Sequence, residues 1–184
     1  MKKAITTKED IIGAFLTAAR EQGFSKLGMR QIAERCGIAP GTLYNYYSDK
    51  NELILDAIAS IWEESLGEET EAEDLLSYIA EITSRIAAVE KSYPGFLQAH
   101  SEWLTGAAIS EGRKAMGRCI GPVIEEIGIL LERDCITSDP DIDIHGLSSF
   151  ILDCMIQAAK KGESRPEELI TLLSLSLRQS REEI

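Results

Sequence analysis

The chain has 184 residues with 19 basic and 31 acidic side chains, a formal net charge of −12. A chain this acidic is a poor indiscriminate DNA binder, because such binding runs on the neutralisation of phosphates by lysine and arginine. No run of about 18 uncharged apolar residues occurs, so no membrane-spanning helix and no membrane partner are expected.

In chain order, Met1-Lys2-Lys3 is followed by Thr6, Thr7, Lys8 and Glu9 before any apolar run, which does not read as a signal peptide. Thr6 or Thr7 with Glu9 or Asp10 three residues on predicts a capping box. Ile11, Ile12, Phe15, Leu16 and Ala19 then share one helix face, and Gly23 ends the helix before Phe24 and Leu27 turn inward.

Residues 29–50 read as two short helices joined by a glycine turn, the form of a helix-turn-helix. Ile32, Cys36, Ile38, Leu43 and Tyr46 are placed to face inward, and Ala33 falls where the helices cross. Gly37 stands at the bend, where a positive φ is needed. Pro40 suits the first turn of the second helix, where its missing N–H would have had no partner. An ordinary helical hairpin would share these features. The remaining surface separates the two readings: Thr42, Tyr44 and Asn45 with the Pro40-Gly41 edge offer small, hydroxyl and amide groups suited to phosphates and base edges. Lys50 is placed to meet a phosphate, and Arg30 is of the type that most commonly bonds a guanine edge. Tyr44 and Tyr46 are either core or contact residues, Tyr44 being the better phosphate contact. Charge follows the same division, since residues 1–50 hold eight basic and five acidic side chains and the remaining 134 hold 11 and 26. The positive charge is thus confined to one end.

These residues resemble the TetR family of bacterial and archaeal transcriptional regulators. The likeness runs over residues 8–59 and is most specific at residues 32–47 followed by Lys50-Asn51-Glu52-Leu53, which follow the pattern GxxxGTLYxYFxxKxxL with Tyr47 in place of phenylalanine. The resemblance implies an all-α homodimer, with an N-terminal three-helix DNA-binding domain at residues 1–48 and a C-terminal ligand-binding and dimerisation domain at residues 49–184. It implies DNA contacts at Arg30, Pro40, Gly41, Thr42, Tyr44, Asn45, Tyr46 and Lys50. The pattern departs at Gly28-Met29, where serine or threonine usually caps the first motif helix; a hydroxyl–phosphate contact is then missing, although backbone N–H groups remain.

Asp49 with Glu52 predicts the cap of a helix carrying Leu53, Ile54, Ala57, Ile58, Ile61 and Trp62 inward and closing at Gly67, the expected link between the domains. The acidic run 68–74 reads as a solvated loop and helix start. A helix over 71–91 follows, then one opening at Pro94. Gly106, Gly112, Gly117 and Gly121-Pro122 are expected to break up the next stretch, with helix again over 123–131 and a turn over 138–141. Two apolar helices over 142–161 and 166–178, split by Gly162, bring the total to about nine. By the resemblance these two pair with their counterparts in a second copy, through Leu147, Ile151, Met155, Leu169, Leu172 and Leu173.

Tyr78, Tyr93, Phe96, His100, Trp103, Met116 and Met155 are candidates to line a pocket for a small apolar or amphipathic effector, or are plain core. His100 in particular reads as a ligand partner or as a locally bonded packing residue. His100 and His145 have no nucleophile partner at a motif spacing, and no phosphate loop or nucleophile elbow occurs, so no catalytic residue, cofactor or enzyme activity is expected. Cys36, Cys119, Cys135 and Cys154 lack paired spacing and read as reduced thiols of a cytoplasmic protein with no metal site, a redox or metal-binding Cys119–Cys135 pair being the alternative. The resulting expectation is a ligand-responsive repressor acting as a homodimer on a palindromic double-stranded operator. The alternatives are a helical ligand-binding protein or enzyme with a vestigial helix-turn-helix, and a DNA-binding activator without small-molecule control.

Overall fold

The computed structural model describes residues 7–105, 109–134 and 142–182, with side chains except those of residues 25, 103–105, 109–116, 118 and 177–182. The described residues form nine α-helices and one short 3₁₀ turn at Phe24–Lys26, with no strand among them, so the all-α expectation holds. The helices are α1 Lys8–Gln22, α2 Met29–Cys36, α3 Pro40–Leu43, α4 Lys50–Leu66, α5 Leu75–Ser92, α6 Phe96–Thr105, α7 Ile109–Arg133, α8 Ile144–Lys160 and α9 Glu167–Glu182. Among the described residues no helix is long and apolar enough to cross a membrane. The chain divides into two compact units, Met1–Glu63 with Glu90–Ala115, and Glu64–Val89 with Met116–Ile184.

The first unit is built on a chain of buried rings. Phe24 meets Phe15 edge-on at 5.2 Å between centroids and Phe96 at 5.4 Å, and Trp62 meets Phe96 at 5.0 Å. Each such pair adds about 0.5–1.5 kcal/mol beyond its area burial, so the spine ties α1, α4, α6 and the 3₁₀ turn together. Thr7 caps α1 as expected, its Oγ1 accepting the Asp10 N–H at 3.1 Å. Gly23 ends the helix at φ 85°, and the next residue's N–H donates to the Pro94 carbonyl at 3.0 Å. A Cβ at Gly23 would stand 3.2 Å from that carbonyl oxygen, so both conformation and space require glycine. Helix α6 opens at Phe96 instead of Pro94, because Gly95 takes φ 84° and Glu90 from the preceding helix accepts the N–H groups of Gly95 and Leu97 at 2.9 and 2.8 Å.

The second unit buries Tyr78, Ile79, Ile82 and Ile86 of α5, Ile127 and Leu131 of α7, and Ile151, Leu152 and Met155 of α8. Its α5 begins at Leu75 and not at residue 71, because Asp74 takes the capping role: its Oδ1 accepts the Ser77 N–H at 2.7 Å. The acidic loop before it is held by its backbone. Arg85 donates to the carbonyls of Glu68 and Glu69 at 2.9 Å each, and Arg133 to that of Glu73 at 2.5 Å.

The expected break-up between residues 112 and 122 is corrected. Gly112, Gly117 and Gly121-Pro122 all lie inside the continuous α7. None of these glycines takes a positive φ, so nothing local ends the helix there. Further along, Gly128 has a packing role: a Cβ there would stand 3.4 Å from both Ile144 Cγ2 and Ser148 Oγ of α8. Helix α8 starts at Ile144, with Asp143 accepting the Gly146 N–H at 3.0 Å, and α9 continues to Glu182. The turn expected over 138–141 lies outside the described residues, as do positions 106–108.

Candidate nucleic-acid interface

Helix α2 ends in a Schellman turn. Gly37 adopts φ 69°, ψ 27°, the Gly37 N–H donates to Glu34 O at 3.1 Å, and the Ile38 N–H donates to Ala33 O at 3.0 Å. This turn aims α3, which opens on Pro40 as expected but is only four residues long. The second helix expected within residues 29–50 stops early: after Leu43 the bonding tightens, the Asn45 N–H donating to Thr42 O at 3.1 Å and the Tyr46 N–H to Leu43 O at 3.0 Å. These are one-turn i−3 bonds, and they still present successive side chains outward.

Ile32, Ala33 and Cys36 of α2 and Leu43 of α3 are buried as expected, whereas Ile38 is half-buried. The inward aromatic is Tyr47, with 0% exposure, and not Tyr46, which is half-buried. The reason is periodicity: Leu43 and Tyr47 are four residues apart and share a face, and Tyr46 falls beside it. That spacing was available in the sequence. Arg30, Pro40, Gly41, Thr42 and Asn45 are exposed, and Tyr44 is 52% exposed. Lys50 is half-buried at the start of α4. The sequence-predicted contact residues therefore leave one accessible strip on a rigidly capped corner.

Charge is distributed less simply than the residue count suggests. Arg35 forms a close ion pair with Glu21, and that hydrogen bond holds the Glu21 carboxyl below its usual range. Arg20 donates to the Tyr93 hydroxyl at 2.5 Å and lies over its ring. Lys8 pairs with Glu52 at 3.3 Å and Asp56 at 3.6 Å. These cations are engaged inside the chain, leaving Arg30 as the exposed cation on the strip itself. Gly28 caps α2 without a side-chain hydrogen bond, in line with the departure noted in the sequence. Burial raises the Cys36 thiol's pKa, which makes it a packing residue and a poor nucleophile.

Residues 11–57 match the family described as bacterial regulatory proteins, tetR family. Over these residues the chain is similar to the TetR family. The chain is 27% identical over 128 residues to the HTH-type transcriptional repressor KstR of Rhodococcus jostii strain RHA1, a match covering 68% of this chain and 56% of that protein. It thus spans about half the length of that curated relative. Two solved structures share the fold. BioQ, crystallised with its double-stranded DNA operator, superposes with a TM-score of 0.69 at 19% identity, over 94% of this chain and 98% of its own. FadR of Thermus thermophilus, a repressor in complex with lauroyl-CoA, gives 0.61 at 20% identity over 93% of each chain.

The effector-pocket candidates fall in different compact units. Tyr93, Phe96 and His100 lie in the first, Tyr78 and Met155 in the second, and the side chains of Trp103 and Met116 are outside the described ones. His100 is buried with its ring 6.4 Å from Phe96 and 5.6 Å from Trp62. The Trp62 Nε1–H beside it is buried with no hydrogen-bond partner among the described residues. In the second unit, burial pushes the Tyr78 phenol up to about 12. A groove of about 420 Å³, which the sequence reading missed, opens between α7 and α8 along Ile124, Gly128, Ile129, Ile144 and His145. Among the described residues no group of three or more His, Cys, Asp or Glu side chains is placed to hold a metal ion.

The dimer candidates also divide. Ile151 and Met155 have 0% exposure, and Leu169 and Leu173 are buried, so these four are used in the chain's own core. Leu147 is half-buried and Leu172 is exposed. The outward apolar residues of α8 and α9 are instead Phe150 at 60%, Leu172 at 65% and Leu175 at 54%. Both helices have more apolar residues than one face can hold, and sequence alone does not say which set turns inward.

Proposed function

We propose that this chain is a sequence-specific DNA-binding transcriptional regulator, a ligand-responsive repressor acting as a homodimer on a palindromic operator. The observation that carries the reading is the accessible strip of Arg30, Pro40, Gly41, Thr42, Tyr44 and Asn45, held on a corner by buried Leu43 and Tyr47. Its small and polar groups fit base edges and phosphates, with Tyr46 and Lys50 at its margin. In this reading residues 1–48 read DNA and residues 49–184 bind effector and dimerise. A second copy covers Phe150, Leu172 and Leu175, giving two readers for half-sites about 34–36 Å apart. Kinship to a named repressor and a fold shared with an operator-bound regulator and an acyl-CoA-bound repressor support the assignment.

Release from DNA is a population shift: an apolar or amphipathic effector bound within residues 70–160 favours a conformation in which α4 sets the readers at the wrong separation. That works only if the effector binds this conformation more tightly than the DNA-competent one. Variants test the residue assignments. With an operator selected from random duplexes, Arg30→Ala and Asn45→Ala should relax base preference at single positions by about 1–3 kcal/mol. Lys50→Ala should weaken all duplexes alike and flatten the salt dependence by about one unit. Unchanged preference in the first two variants would overturn the assignment of the strip as the reader.

A further inference from the structure

We propose that Lys8 is a positioning residue of the DNA reader: its ammonium secures Tyr47, and through it the reader's last turn, and does not meet a phosphate. The proposal rests on the DNA-binding reading above and deepens it. A lysine in the basic half of the chain invites counting as a phosphate ligand, and the geometry gives it other work.

Lys8 is the first residue of α1. Its Nζ stands 3.3 Å from Glu52 Oε1, 3.6 Å from Asp56 Oδ2 and 4.5 Å from the centroid of the Tyr47 ring. The ammonium donates to Glu52, pairs with Asp56 and lies over the Tyr47 ring. A phosphate would have to compete with these partners. One lysine against two carboxylates also leaves the cluster net negative, which disfavours a phosphate nearby.

Tyr47 has 0% exposure, and the Asp56 carboxylate that pairs with Lys8 also acts on its hydroxyl. The ring is held by packing, by the cation on its face and by the carboxylate that this cation secures. The Tyr47 N–H donates to Leu43 O at 3.1 Å, so fixing the ring fixes the turn that carries Tyr44, Asn45 and Tyr46. Glu52 extends the arrangement: while Oε1 takes Lys8, Oε2 accepts the Ser48 N–H at 2.8 Å. One carboxylate thus joins the start of α1, the segment leaving the reader and the first turn of α4. The ion pairs are part-exposed and individually weak, so the effect lies in what they hold in place.

The test compares wild type, Lys8→Met and Lys8→Arg in the full chain. One readout is affinity for a selected operator duplex and a scrambled duplex from about 50 to 200 mM salt. The other is hydrogen exchange of the amides of residues 44–47 without DNA. Lys8→Met, which keeps the aliphatic stem, should weaken operator binding about threefold to tenfold, leave the salt slope at its wild-type value and speed that exchange. Lys8→Arg should restore all three. A slope shallower by about 0.9 in Lys8→Met would mark a lost phosphate contact and overturn the proposal. Unchanged affinity with unchanged exchange would overturn it as well. Should wild type show no operator preference, the DNA reading fails on its own, and the exchange data still decide whether Lys8 holds Tyr47. If Lys8→Met does not fold, Lys8→Gln takes its place with the same readouts.

Discussion

At the scale of single residues, Gly41 separates folding from reading. It is exposed, takes no positive φ, and a Cβ there would meet nothing within 4 Å. Nothing inside the chain requires glycine at this position, and alanine is the better helix former by about 1 kcal/mol. On the proposed reading, glycine here serves the close approach of a DNA backbone or base edge. Gly41→Ala should leave thermal stability unchanged or raise it by about 2–4 °C, while lowering operator affinity about tenfold or more. Thermal melts and operator titrations on the same preparation check this. A variant that melts higher and binds as well as wild type would remove Gly41 from the interface. Gly37 is the opposite case, because its φ of 69° serves the turn itself.

At the scale of elements, the starts of helices decide how the reader is mounted. Asp49 Oδ1 accepts the N–H groups of Asn51 and Glu52 at 2.7 and 3.0 Å, and Glu52 returns a bond from the Ser48 N–H. That backbone bond, aided by Lys8, holds the Glu52 carboxyl below its usual range. A carboxylate that binds its proton less tightly when folded stabilises the fold fully above its unfolded pKa, and that gain is lost as pH falls through the folded value. Glu52→Gln should therefore lower the melting temperature by about 2 °C at neutral pH, a small effect because the side chain is well solvated. The gap to wild type should close below about pH 4. A gap that stays constant on acidification would show that the charge of Glu52 is not what stabilises its bonds to Ser48 and Lys8. Such caps were legible in sequence: Thr7, Asp49, Gly23 and Gly37 each stand where a residue of that type satisfies or redirects backbone groups. The long α7 was not legible, because glycine and proline are local signals and a helix can carry them when packing continues past them, as at Gly128 against α8. Tyr47 was obscured differently. Two adjacent tyrosines offer the same chemistry, and only the four-residue step from Leu43 says which one turns inward.

At the scale of the whole molecule, the reading needs two copies, since one four-residue helix with its closing turns reaches only a few base pairs. Among the described side chains, Phe150, Leu172 and Leu175 are the large apolar residues that α8 and α9 leave exposed. Phe150→Glu, at a position 60% exposed, should yield a folded monomer by sedimentation and lower operator affinity about 100-fold or more. A dimeric Phe150→Glu protein would move the interface elsewhere. The central claim, that residues 29–50 read DNA sequence, is tested most directly by the affinity of the full chain for a duplex selected from random sequence against a scrambled duplex of equal length, across a salt titration. The account predicts a preference of about 10³ or more that persists as salt weakens both complexes together. Equal affinities for the two duplexes at every salt concentration would contradict it.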